Sequence, residues 1–128
     1  MADSAMSNWP KEEIPDQDSL FMRVHRNNAP DGELAPGAFR DIGRGMSTDW
    51  QKYSTAEETR ARAGVPQKNG VTCMVAGGVR SCGLLVEHDP IPVNRAHTEI
   101  VGIKSTEVRF KLLRLARWVM PLELNQSI

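Results

Sequence analysis

Residues 96–121 read AHTEIVGIKSTEVRFKLLRLARWVMP, and the periodicity of the side chains changes partway along them. From 96 to 103 they alternate, with His97, Glu99 and Val101 on one face of an extended strand and Thr98 and Ile100 on the other. Gly102 weakens the strand's end. Ser105 has the chemistry of an N-cap for a helix over 106–120, and Pro121 stops it. At about 100° per residue, Val108, Leu112, Leu113, Leu115, Ala116, Val119 and Met120 gather on one broad apolar face. A half-buried strand followed by an amphipathic helix reads as an α+β domain, because each element must bury its apolar side against the other.

The same alternation recurs upstream. Leu20, Met22 and Val24 share one side of a strand over 20–25, which leaves Arg23 and His25 together on the other. Met46, Thr48 and Trp50 alternate with Ser47 and Asp49 in a second strand. Val71 to Ala76 reads as a buried strand after the Asn69-Gly70 turn, and Leu84 to His88 as another. Ser54 to Ala63 reads as a short surface helix, with Ser54 as N-cap, Glu57 completing a capping box, and Gly64 and Pro66 as the stop. The expected architecture is a mixed or antiparallel sheet of four to five strands packed against one C-terminal amphipathic helix, with the shorter helix at its margin.

The 128 residues suit one domain, assigned to 18–121. A flexible polar tail is expected over 1–17, where Pro10 and Pro15 interrupt regular structure, and a C-terminal tail over 122–128. Sixteen basic residues balance sixteen acidic ones, so no overall positive field is present to hold nucleic acid without specificity. Cys73 and Cys82 are too few for a disulfide framework and lack CxxC spacing, and reduced thiols are expected. The N-terminus has neither the basic nor the apolar part of a secretory signal, and no apolar run approaches the ~20 residues that cross a bilayer. A cytoplasmic location is expected, with no membrane association.

Polar side chains on the predicted strands carry the chemistry. His25, His88 and His97 are imidazoles of the kind zinc accepts, yet no paired-ligand spacing such as HExxH is present, so no metal is expected. Arg109 falls at the margin of the helix's apolar face, and Glu99 is a candidate partner for it. Arg80, after the Gly77-Gly78 pair, could hold an anion, or pair with Asp41 or Asp49. Lys111, Arg114, Arg117 and Trp118 form a basic stripe with an aromatic beside it on the outer face of the last helix. Trp9 before Pro10 has the character of a short linear anchor.

Two resemblances add expectations. Arg23 on a first strand, Ser47-Thr48 on a middle one and Glu99 on a late one resemble the arginine, serine-threonine and glutamate order of ADP-ribosyltransferase-like domains. That likeness implies that the arginine and serine position NAD and that the glutamate orients its ribose during transfer. More broadly, LFMRVHR, GAFRD, MSTDW, VRSCG, VEHDP and VNRAH, within residues 17–120, resemble a family of short bacterial proteins of no described activity. This implies one intact domain in a bacterial or phage setting.

The leading expectation is a non-catalytic binding or adaptor module in a bacterial or phage protein assembly, with another protein chain as partner and no cofactor. Trp9, Arg80, Lys111, Arg114, Arg117 and Trp118 are its candidate contacts. The first alternative is a small enzyme, ADP-ribosyltransferase-like or hydrolytic, using Arg23, Ser47, His97 and Glu99, with His88 nearby. The second is a nucleic-acid-binding accessory protein using the basic face of the last helix.

Overall fold

The computed structural model describes residues 9–122. Residues 1–8 and 123–128, which belong to the two expected tails, lie outside the described residues. Six strands form one sheet: β1 (Ser19–His25), β2 (Met46–Trp50), β3 (Asn69–Val75), β4 (Leu85–His88), β5 (His97–Val101) and β6 (Arg117–Met120). Their order is β4-β5-β2-β1-β3-β6, and every neighbouring pair is antiparallel. Three α-helices accompany them among the described residues: α1 (Ala56–Ala61), α2 (Ala76–Ser81) and α3 (Thr106–Leu115). The α+β class holds, with a larger, wholly antiparallel sheet and more helices than the residue pattern suggests.

One face of the sheet makes the core. Leu20, Met22 and Val24 of β1, Met46 and Trp50 of β2, Met74 of β3 and Ile100 of β5 pack with Val79 of α2 and Leu112 of α3. Phe39, from a short turn at Pro36–Ala38, closes the layer and is fully buried. Each such large side chain contributes roughly 1.5–3 kcal/mol on leaving water. The opposite face carries the alternate residues and is covered only in part, by α1; Thr59 of that helix and Arg62, its C-cap, bond to Asp49 of β2.

The C-terminal element differs most from its sequence pattern. The helix expected over 106–120 ends at Leu115, Ala116 turns extended (φ −70°, ψ 136°), and Arg117–Met120 pairs with β3 as an edge strand. Met120 faces inwards in either element, whereas Trp118, on the outer face of the expected helix, is turned inwards with Met120 by the strand. Gly70 favours the strand: a Cβ there would stand 2.7 Å from the Met120 carbonyl and 2.7 Å from the Trp118 ring. Only a glycine lets β6 close on the sheet at that point.

Smaller differences have local causes. Ser105 does cap α3, its Oγ accepting from the Val108 amide at 3.2 Å. The cap of α1 is Thr55, in a capping box with Glu58. Ser54, expected there, is instead buried against Thr59 and Arg62. Ala76, placed by its apolar run in a strand, starts α2. Residues 9–17, within the expected flexible tail, lie against the domain: Ile14 belongs to the core, and the Asp16 and Asp18 carbonyls accept from the Gly77 and Ala76 amides, each at 2.8 Å.

Candidate functional site

The half-covered face of the sheet holds a cavity of about 570 Å³. Its floor is built from strands that are neighbours in space but distant in sequence: β1 supplies Arg23 and His25, β2 supplies Ser47 and Asp49, and β5 supplies His97. The antiparallel registers explain the convergence. Ser47 stands opposite Glu99 and Asp49 opposite His97, so residues two apart on each strand meet on one face. Ile42, Ile91 and Val93 form an apolar part of the lining, with Ile42 and Val93 72% and 85% exposed.

Asp49 anchors one wall. It is buried, yet its carboxylate accepts three hydrogen bonds, from Thr59 Oγ1 at 2.8 Å, Arg62 at 2.7 Å and Asn94 Nδ2 at 2.8 Å. Arg62 also donates to Ser54. A carboxylate so supplied is a structural group that ties β2 to α1 and to the loop before β5. The remaining charge towards the cavity is positive, from Arg23 and Arg40. Arg23 places one of its donors on the Thr59 carbonyl at 3.1 Å, which fixes its head beside the cavity.

Beyond His97 the face turns acidic. His97 Nε2 lies 2.6 Å from Glu99 Oε2, and the other carboxylate oxygen of Glu99, also buried, has no hydrogen-bond partner. Asp89 completes a group whose ligand atoms all lie within 4.8 Å of one another. Glu87 stands opposite Glu99 in the β4–β5 register. Its hydrogen bond to Arg44 holds that guanidinium above its ordinary value, and the charges of Glu87, Asp89 and Glu99 act in the same direction.

Arg23, Ser47 and His97 therefore share one cavity, with Glu99 bonded to His97 behind them. The three histidines do not converge. His88 points to the core face, where its two ring nitrogens are taken by the Glu12 amide at 3.0 Å and the Arg95 carbonyl at 2.7 Å. His25 accepts from the Asn27 amide at the end of β1. Arg109 does not pair with Glu99, since its Nε donates to the Phe39 carbonyl at 3.1 Å. Arg80 pairs with Asp16 at 2.5 Å rather than with Asp41 or Asp49.

The basic stripe expected on one helix is divided. Lys111, 3.8 Å from Glu107, and Arg114 lie on α3, whereas Arg117 and Trp118 belong to β6 and point to opposite faces of the sheet. Trp9 lies under the Arg95 guanidinium, 5.8 Å from ring centroid to Cζ, and is about one-third exposed. Arg62, Asn94 and Arg44 are site residues that the strand pattern does not reveal, because all three lie outside the strands. The Asp-Pro turn and Asn94 in the β4–β5 connection are the only local signal that this loop is built rather than slack. No family model matches the chain, nor does any curated protein or solved structure.

Proposed function

We propose that the chain is a binding module whose working surface is the cavity on the half-covered face of the sheet, and that it takes a small anionic ligand with an apolar part. The convergence of Arg23, Ser47 and His97 from three adjacent strands carries this reading. A concave site of this volume with a few fixed polar groups among apolar ones suits a small molecule. The acid in its wall, Asp49, is already satisfied, so the groups left to meet a ligand are guanidinium, imidazole, hydroxyl and amide. Apolar Ile42, Ile91 and Val93 supply a surface for a ring or a short aliphatic segment.

The opposed pair Ser47 and Glu99 favours one second reading, a small enzyme of the ADP-ribosyltransferase-like kind, in which Arg23 and Ser47 would position NAD and Glu99 its ribose. The partner would then be a nucleotide, with no role for the divided basic stripe. One titration addresses both. NAD, ADP-ribose and inorganic pyrophosphate are added to isotope-labelled protein while amide resonances are followed. Saturable shifts at Arg23, Ser47 and His97, lost in Arg23→Gln, are expected for at least one of the three. Absence of shifts at millimolar ligand would sink the binding reading. Release of nicotinamide, lost in Glu99→Gln, would move the protein to the enzyme class.

A further inference from the structure

The geometry points to a divalent transition-metal site formed by Asp89, His97 and Glu99, at the edge of the cavity and sharing His97 with it. The three ligand atoms come from β5 and from the residue that follows β4, and they lie within 4.8 Å of one another. Two atoms bound to one tetrahedral zinc ion stand roughly 3.4 Å apart, given bond lengths of about 2.1 Å. Closure therefore needs at most about 1.4 Å of side-chain movement, which Asp89, 34% exposed, is placed to make.

Glu99 is the observation that sets this group apart from an ordinary acidic patch. Its side chain is only 9% exposed, and Oε1 is buried without a hydrogen-bond partner. A buried carboxylate oxygen left unpaired is a destabilising arrangement that a cation relieves directly. The backbone makes room for it: a Cβ on Gly45 would stand 2.9 Å from Oε1, so this carboxylate packs against the one residue type that can lie so close. His97 already directs Nε2 at the same carboxylate, 2.6 Å away. An ion held by both carboxylate oxygens of Glu99 takes the place of the proton shared along that bond and satisfies Oε1 as well, with Nε2 and Oε2 spreading slightly to hold it.

Neighbouring cations do not fill the position. Arg44 is committed to Glu87 at 2.6 Å and reaches Asp89 only at 3.9 Å, while Lys11 stands 3.7 Å from Asp89 with its side chain 72% exposed. One neutral imidazole and two carboxylates give a ligand set of charge −2, matched to a dication. This mixed nitrogen and oxygen set favours zinc over manganese, and both over magnesium. Three protein ligands leave a fourth position for water or a ligand atom.

Isothermal titration calorimetry with zinc chloride and manganese chloride, on the full chain pretreated with a chelator, tests the site. The expected result is one ion per chain, with zinc bound more tightly than manganese. Glu99→Gln and His97→Asn should each weaken binding about 100-fold, in line with the sensitivity of metal sites to their immediate surroundings. His25→Ala and the pair Cys73→Ser with Cys82→Ser should leave it unchanged, and circular dichroism of every variant controls for folding. If either ligand variant unfolds, Asp89→Asn, at a one-third-exposed position just after β4, carries the same expectation. Failure of zinc to saturate at one equivalent would overturn the site, and so would binding that survives the ligand variants but disappears with the thiols.

Discussion

Asp49 and Arg62 form a 2.7 Å ion pair in the wall of the cavity, with side chains 5% and 30% exposed. That asymmetry ranks their substitutions. Asp49→Ala strips Thr59 and Asn94 of their acceptor and leaves Arg62 without its counter-charge, which should cost about 3 kcal/mol. Arg62→Gln leaves Asp49 with two donors and should cost about 1 kcal/mol, because the guanidinium is partly solvated. Urea denaturation followed by tryptophan fluorescence measures both, and equal losses would show that the pair is not organised around the aspartate.

Gly70 controls the docking of the edge strand. A methyl group there would meet the Met120 carbonyl and the Trp118 ring at 2.7 Å each. Neither neighbour yields easily, since one is backbone and the other a half-buried ring. Gly70→Ala should therefore destabilise the domain by about 1–3 kcal/mol. The Trp118 contribution to fluorescence should shift to the red as the ring meets water. A variant as stable as the parent, with unchanged emission, would mean that β6 contributes nothing to the fold.

The strands that alternate cleanly were legible from sequence, β1 above all, because Leu20, Met22 and Val24 give it one unambiguous apolar side. The fate of Arg117–Met120 was not. Four residues at the end of an amphipathic helix pattern are too few to separate the two periods, and the choice depends on the unpaired edge of β3 and the space over Gly70, both of which are tertiary facts. The candidate site was legible by halves. Alternation alone puts Arg23 with His25 and His97 with Glu99, whereas the order β5-β2-β1, which brings Arg23, His25 and His97 to one cavity with Glu99 behind it, depends on long connections with no local signature. Asp49 escaped notice as an anchor because its three partners come from two later segments.

Cys73 should be a slow thiol. Burial within the sheet pushes its pKa up, and the charge of Arg117, its register partner on β6, opposes this to a smaller degree. At pH 7.5 its reaction with a disulfide reagent should be slower than that of an unfolded control, since the thiolate is the reacting form. Arg117→Gln should slow it further in a Cys82→Ser background. Acceleration in that variant would show that access rather than charge governs the thiol.

Glu12 ties the segment before β1 to the domain, and its ionisation sets an acid limit on that tie. The carboxylate hydrogen-bonds to Lys52 at 2.7 Å and to the Tyr53 hydroxyl, and these two bonds, the lysine's first, hold its pKa below the ordinary 4.5. A carboxyl group with a depressed folded pKa stabilises the folded state above its unfolded value, and the contribution disappears as pH falls through the folded value. Melting temperatures of the parent and Glu12→Gln should therefore differ at pH 6 and converge as the pH is lowered beneath 4.5. The gap should also narrow in high salt, because Lys52 is half exposed and its charge is screened. A gap that widens in acid would mean that Glu12 is protonated in its bonded form, with the Tyr53 hydroxyl accepting rather than donating.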